Sequence, residues 1–345
     1  MSGATLYNER AIETGSRLAG QEVRAAAPTR PGGNNRVFRL DMADGSQRAL
    51  KYYPSDGRDR LGQEYEALSF LAQQGVGLTP RPFASDCDQN CALYEWFDGE
   101  AAALHPQPDD VDQLADLLVE LQSLRNAAGA ERLRPASASV FSPADAVGQC
   151  EARLNRLREP ASGDPDLRAF VDRHLAPSAA LARRRVEQRY AGMGIDPAAK
   201  LTPAQRALSP SDFGLHNAMR GANGRLRFID FEYFGWDDPV KLTSDTALHP
   251  GSEFPENDAK RLLERLSGEF EARDPAFALR RDVLYPVFGL IWCLIILNDY
   301  LPESRSRQVM VGRDGESDAI LAGQLDKARR LHQAICQRDP DLTPR

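Results

Sequence analysis

Apolar residues in the first part of the chain occur in short runs separated by turn residues, a pattern that predicts β-strands. The stretch PGGNNRVFRLDMADGSQRALKYYP contains two such strands around ADGS, in which Asp-Gly favours a hairpin turn. Another hairpin is predicted in TPRPFASDCDQNCALYEWFDGE. Between them, DRLGQEYEALSFLAQQG has helical spacing, with Glu64 near the apolar face and Glu66 turned away. We therefore expect an N-terminal antiparallel sheet with one main helix.

The spacing of apolar residues changes to that of helices after residue 100. DDVDQLADLLVELQSLRN has one apolar face, and three further helices are predicted at about 256–273, 279–301 and 318–338. The middle one is apolar nearly all round, so we expect it to be buried at the centre of its lobe. These patterns predict an α+β protein with an N-terminal lobe, 1–98, and a mostly helical C-terminal lobe, 99–345.

Charge and hydropathy narrow the functional classes. The chain of 345 residues has a formal net charge of -7 and a pI near 5.4, so we expect no nucleic-acid partner. The N-terminus carries early charges and does not resemble a secretory signal. The most apolar run, Val283 to Leu297, contains Pro286 and Gly289 and looks too short to span a bilayer. We expect a cytoplasmic protein without a membrane partner.

Candidate chemistry is concentrated in LSPSDFGLHNAMRGANGRLRFIDFEYFGWDD, residues 208–238. It contains Asp212, Asn217 five positions later, and a short apolar strand that leads to Asp230. Phosphoryl transfer requires one carboxylate near the acceptor hydroxyl, and a second carboxylate with an amide oxygen to hold magnesium. The pattern therefore predicts a site for a nucleotide phosphate and Mg²⁺.

The letters D-F-G at positions 212–214 suggest a different assignment, because this tripeptide holds magnesium in protein kinases. A catalytic Asp with an Asn five residues later should then lie upstream. The only nearby acid, Asp196, is followed by PAAKL. Assigning Asp212 as the base and Asp230 as the metal ligand satisfies every position.

Several segments resemble the aminoglycoside phosphotransferase and choline kinase superfamily. SPSDFGLHN resembles its HGDxHxxN catalytic loop, and IDFEYFGWDDP resembles its IDxE(Y)xxxxxDP metal segment. Upstream, GGNNRVFRL resembles the glycine loop GGxxNxxyrv, and ALYEWFDG resembles the hinge segment. The resemblance implies a two-lobed, protein-kinase-like fold and a kinase of small molecules that uses ATP or GTP with Mg²⁺.

The resemblance also implies a role for each matching residue. Asp212 would orient the acceptor, and Asn217 and Asp230 would bind magnesium. Lys51 would contact the α- and β-phosphates and pair with Glu64, with Glu66 as the alternative. The remaining nucleotide contacts would come from the glycine loop and the hinge: Gly32, Gly33, Asn34, Glu95 and Phe97.

The acceptor is less well defined. Choline kinases hold a quaternary ammonium with aromatic residues from the region of Trp292, although plain core packing also explains that residue. Further candidates for the acceptor rim are Glu232, Trp236, Asp238 and Asp299. These residues favour a cationic or polyhydroxyl acceptor, such as an amino alcohol, a sugar or an aminoglycoside. Oligomeric state cannot be predicted from the sequence.

The chain departs from the family pattern before Asp212 and again after Asp230. The histidine and glycine before the base are replaced by Pro210 and Ser211, and the family's later aspartate falls at Leu242, with Asp245 as a substitute. The first departure keeps open a nucleotide-binding pseudokinase with a regulatory or scaffolding role. A protein kinase is a weaker alternative, because no activation loop follows Asp230.

Overall fold

A computed structural model describes residues 3–29, 35–252, 254–302 and 317–343. The chain forms two compact units, each discontinuous in sequence. Unit 1 contains Met1–Ser137 and Leu208–Trp236, and unit 2 contains Ala138–Ala207 and Asp237–Arg345.

Unit 1 contains a five-stranded antiparallel sheet with strand order β1-β2-β3-β5-β4. The predicted hairpin turn is present: Gly45 has a φ of 82°, and the Met42 N–H donates to the Ser46 carbonyl at 2.9 Å. The structure confirms the predicted N-terminal antiparallel sheet. Its strands are β1 (Val23–Pro28), β2 (Arg36–Met42), β3 (Gln47–Tyr52), β4 (Pro82–Asp86) and β5 (Cys91–Glu95).

Two helices accompany this sheet, α1 (Gly3–Ala19) and α2 (Arg60–Gln73). The first packs on a sheet face where alternate residues of β2 are buried, Phe38 and Leu40 among them. The second begins at the N-cap Asp59, whose side chain accepts from the Gly62 N–H. Its buried face includes Glu64, as the periodicity predicts.

The rest of unit 1 carries the loops of interest. A three-stranded sheet has the order β6-β8-β9, and buried Arg220 pairs with buried Asp110 at 2.7 Å. These contacts join residues 99–137 to residues 208–236 within unit 1. The division at residue 98 into a nucleotide-covering lobe and a helical lobe stays a prediction. The elements are β6 (Glu100–Ala101), α3 (Asp110–Ser123), β7 (Ala207–Ser209), β8 (Ala218–Arg220), β9 (Leu226–Phe228) and β10 (Gly235–Asp237).

Unit 2 is helical and is built around α9 (Phe277–Ile296), which is buried on almost all sides. The three predicted C-terminal helices are present with boundaries shifted by a few residues. Its other helices are α4 (Pro143–Gly163), α5 (Pro165–Phe170), α6 (Ala176–Gly192), α7 (Pro239–Leu248), α8 (Glu256–Glu271) and α10 (Ser317–Arg338).

The central helix is longer than its most apolar run suggested. Phe277–Tyr300, which is α9 with a final 3-10 turn, is long and apolar enough to cross a membrane by length and composition alone. However, 83% of its most apolar window is buried inside the protein, and the core helix of a soluble protein passes the same test. The helix is therefore weak evidence for a membrane span, although the expectation that it is too short needs correcting.

Candidate active site

Lys51 lies at the centre of an acidic cluster in unit 1. Its Nζ is 2.6 Å from Glu64 Oε2, 2.6 Å from Asp230 Oδ1 and 3.9 Å from Glu232 Oε2. Burial alone would lower the pKa of Lys51, but the three carboxylates hold it above its ordinary value. Burial raises the pKa of Glu64, and the Lys51 ammonium opposes that shift. The predicted pairing of Lys51 with Glu64, and not with Glu66, is present.

Glu66 faces away from this cluster. Its side chain is 52% exposed and pairs with Arg134 at 2.8 Å. Two residues earlier on the same helix, Glu64 is 3% exposed. The helical period, which separates the two side chains by about 200°, accounts for the difference.

Glu64 has a second contact that the sequence did not suggest. Its Oε1 accepts from the Phe231 N–H at 3.0 Å, while Oε2 accepts from the Tyr53 hydroxyl at 2.7 Å. Phe231 follows Asp230, which has a φ of 68° in the left-handed region that non-glycine residues rarely adopt. Glu64 therefore both pairs with Lys51 and holds the main chain beside Asp230.

Both carboxylate oxygens of Glu232 accept hydrogen bonds. It is 2% exposed; Arg60 donates to Oε1, and Asn35 Nδ2 donates to Oε2 at 2.9 Å. Arg60 also contacts Asp56 at 2.8 Å. The carboxylate of Glu232 is thus buried and already paired, and its contact with the acceptor stays a prediction. Sequence reasoning missed Arg60, whose position at the start of a helix gives no sign of burial.

The catalytic loop returns on itself after Asp212. A 3-10 turn at Leu215–Asn217 places His216 Nε2 3.1 Å from Asp212 Oδ1. The side-chain amide of Asn217 donates to the Asp212 carbonyl at 3.0 Å, and the Ile229 N–H donates to the Asn217 carbonyl at 2.9 Å. Asp212, Asn217 and the strand that precedes Asp230 are thus held together within unit 1.

These residues provide suitable ligands for Mg²⁺, which prefers carboxylate and carbonyl oxygens. Carboxylate oxygens of Glu64, Asp230 and Glu232 lie within 4.8 Å of one another around Lys51. Glu64 and Glu232 are buried and already paired, so Asp230, the most exposed of the three, is the carboxylate that would bind a cation. Because the Asn217 amide nitrogen is bonded to the main chain, its oxygen is the atom left for a cation. The donor set fits Mg²⁺, with Asp230 and Asn217 as the residues that would hold it.

The departure at Ser211 has a structural explanation. Ser211 has a φ of 68°, so the backbone keeps the left-handed geometry that suits the family's glycine. Its hydroxyl donates to the Ser137 carbonyl at 3.2 Å, and its N–H donates to the Ser209 hydroxyl at 3.0 Å. These two hydrogen bonds hold Ser211 in its left-handed conformation.

The hinge residues interact mainly with Arg227. Glu95 Oε1 lies 3.1 Å from Arg227 Nη2, and the same guanidinium lies 3.4 Å from the ring centroid of Phe97. These side chains support the hinge, while adenine recognition would fall to its backbone groups. Gly32, Gly33 and Asn34 lie outside the described residues, so their assignment stays a prediction.

Two of the other acceptor candidates are buried in unit 2. Asp238, 1% exposed, caps α7 through the Val240 N–H and pairs with Arg280 at 2.5 Å. Trp292, 7% exposed, donates to Asp245 Oδ1 at 2.9 Å. Both side chains therefore have structural partners in this structure, and their contact with the acceptor stays a prediction.

The last two candidates are half-buried and remain predictions. Trp236 donates to the Ala130 carbonyl at 3.0 Å, and Asp299 accepts from Gln324 at 2.7 Å. Asp245 also pairs with Lys241 at 2.8 Å. That it substitutes for the family's later aspartate stays a prediction.

The antiparallel sheet, the Lys51–Glu64 pair and the D-x4-N loop together define a protein-kinase-like phosphotransferase fold. A sequence profile of the phosphotransferase enzyme family matches residues 26–277, and the chain belongs to that family. Membership confirms the predicted enzyme class, a phosphotransferase with an alcohol group as acceptor. No curated protein sequence gives a significant match to the chain.

Solved structures with the same fold share little sequence with this chain. Choline kinase LicA from Streptococcus pneumoniae is 17% identical, with a TM-score of 0.57 and coverage of 94% of this chain and 98% of the other. An ethanolamine kinase from Plasmodium vivax is 15% identical, with a TM-score of 0.60 and coverage of 95% and 89%. A spectinomycin phosphotransferase, solved with ADP and spectinomycin, is 12% identical, with a TM-score of 0.59 and coverage of 94% and 98%.

Proposed function

We propose that this protein transfers the γ-phosphoryl group of ATP, or of GTP, to a hydroxyl of a small polar molecule. The observation that carries the proposal is the buried Lys51 ammonium, which lies 2.6 Å from both Glu64 and Asp230. In the proposed roles, Lys51 binds the phosphates and the adjacent Asp230 carboxylate binds the metal. The choice of ATP is supported by related folds solved with ADP and AMP.

In the proposed reaction, the Asp212 carboxylate orients the acceptor hydroxyl and takes its proton as the acceptor oxygen bonds to the γ-phosphorus. The bond from that phosphorus to the bridging oxygen breaks, and the electron pair leaves with the nucleoside diphosphate. Lys51 stabilises the charge on the α- and β-phosphates. Asn217 and Asp230 hold the magnesium that, when bound, screens the phosphate charge.

The proposed acceptors are amino alcohols, sugars and aminoglycosides. Choline, ethanolamine and spectinomycin, named for proteins of the same fold, support a small polar acceptor. A cytoplasmic location, where ATP and Mg²⁺ are available, fits the same proposal.

Release of ADP or GDP tests the proposal, measured with Mg²⁺ against a panel of amino alcohols, sugars, nucleosides and aminoglycosides. Asp212→Asn provides the blank, because the amide keeps the shape of the side chain but cannot take a proton. We expect one acceptor class to raise release in the wild type alone. Nucleotide binding without acceptor-dependent release would favour the pseudokinase instead.

A further inference from the structure

His216 forms a hydrogen bond with Asp212, and no role has yet been assigned to this histidine. His216 Nε2 lies 3.1 Å from Asp212 Oδ1, and the two side chains are 25% and 38% exposed. An ionised carboxylate can only accept, so the imidazole donates and carries its proton on Nε2. The bond joins a neighbouring side chain directly to the proposed base.

The surrounding loop already fixes the main chain of Asp212. Its N–H donates to the Pro210 carbonyl at 2.9 Å, and its carbonyl accepts from the Asn217 amide at 3.0 Å. The direction of the carboxylate depends further on rotation about the side-chain bonds. A hydrogen bond to Oδ1 restricts that rotation and leaves the carboxylate with further acceptor capacity for a hydroxyl.

Pro210, two residues before Asp212, cannot donate a hydrogen bond to the Asp212 carboxylate. It occupies the position at which the resemblance places a histidine, and proline has neither a side-chain donor nor an N–H. His216 provides a donor from the other side of Asp212, one turn later in the loop.

We propose that His216 is a positioning residue that holds the Asp212 carboxylate in the orientation required by the acceptor hydroxyl. The inference rests on the proposed function and adds His216 to the residues that support it. His216 contacts neither nucleotide nor acceptor in this proposal. Its substitution should therefore lower kcat and leave the KM for nucleotide unchanged.

Three substitutions separate positioning from space filling. His216→Leu keeps approximate volume without a donor, His216→Gln places an amide nitrogen near the position of Nε2, and His216→Asn places one near Nδ1. We expect kcat to fall on the order of 10- to 100-fold in the Leu and Asn variants and to recover substantially in the Gln variant. His105→Leu is the control, because His105 is an exposed histidine of the same unit.

Nucleotide KM and thermal unfolding should stay near wild type in all three variants. Wild-type kcat in His216→Leu, or a Gln variant as slow as the Leu variant, would overturn the proposal.

A measurement without turnover keeps this inference separate from the proposed function. In ¹⁵N-histidine-labelled protein, the imidazole signal that disappears in His216→Leu should show the Nε2–H tautomer, and Asp212→Ala should shift it. If no acceptor supports turnover in the wild type, the proposed function fails, and this spectrum still decides the contact. A His216 signal that is insensitive to Asp212→Ala overturns the contact.

Discussion

Glu64 accepts a hydrogen bond from the Phe231 N–H at 3.0 Å, so the partner of Lys51 also fixes the chain directly after Asp230. One side chain of α2 thereby links Lys51, the proposed phosphate-binding residue, to the segment proposed to bind metal. Any displacement of α2 would disturb both at once.

Glu64→Ala should therefore impair both nucleotide binding and folding. It leaves the buried Lys51 ammonium with one close partner fewer and the Phe231 N–H without its acceptor, and we expect a loss of about 3 kcal/mol in the free energy of unfolding. The KM for ATP should rise at least about tenfold, a change of roughly 1.4 kcal/mol. Denaturant unfolding and steady-state kinetics measure the two effects.

Glu66→Ala is the matched control, because this exposed glutamate lies on the same helix. Equal effects of the two substitutions would contradict the assignment of Glu64 as the lysine partner.

Arg60 and Glu232 should show strong energetic coupling. Removing either partner leaves the other charge buried, so Arg60→Met and Glu232→Leu should each cost about 3–5 kcal/mol. The double variant should be less destabilised than the sum of the two, by more than about 1 kcal/mol. A double-mutant cycle by denaturant unfolding measures the coupling, with Arg58→Met as an exposed control. Additive losses would mean that the two residues act independently.

Ser211 should tolerate glycine better than any β-branched residue. Its φ of 68° is accessible to glycine without strain, whereas Ser211→Val should destabilise unit 1 by about 1–2 kcal/mol. Ser211→Ala should fall between them and isolates the hydrogen bond to Ser137. Denaturant unfolding of the three variants gives the order, and a valine variant as stable as the glycine variant would exclude backbone strain.

His332 should make unit 2 sensitive to acid. It is buried, and Ser178 Oγ lies 2.9 Å from its Nε2. Burial, with a smaller contribution from the charge of His174, lowers the pKa of His332 from 6.5 to about 4. Between these values the unfolded chain binds the proton and the folded chain does not. This contribution to stability is therefore complete above pH 6.5 and is lost as pH falls towards 4.

Thermal unfolding between pH 4 and pH 8 tests this expectation. His332→Gln should flatten the profile over that range, and His105→Gln, at an exposed position, should leave it unchanged. If the unfolding temperature of His332→Gln still falls as strongly with decreasing pH, other groups must cause the acid sensitivity.

Local patterns predicted the local parts of the site. Helical periodicity placed Glu64 on the buried face of α2, and the D-x4-N spacing brought Asn217 back to Asp212 through one 3-10 turn. The contact between Arg60 and Glu232 joins positions 172 residues apart. No periodicity encodes such a pair, because it depends on how α2 packs beside the segment after β9.

The residues predicted to contact the acceptor also have partners that no local sequence pattern reveals. Acidic and aromatic residues near a metal motif suit both a ligand rim and a buried ion-pair network. Asp238 and Trp292 proved to have structural partners, Arg280 and Asp245, that lie far away in sequence. Composition alone cannot distinguish these uses, since burial decides between them.

The discontinuity of unit 1 affects the order in which the site forms during synthesis. Lys51 and Glu64 leave the ribosome 13 residues apart, and the sheet and helix that carry them are complete once Glu95 has been made. Asp230 follows Lys51 by 179 positions, after the first three helices of unit 2, α4 to α6, have been made. A nascent chain can therefore form the lysine–glutamate pair early, and phosphate chemistry must wait for a late, non-local closure.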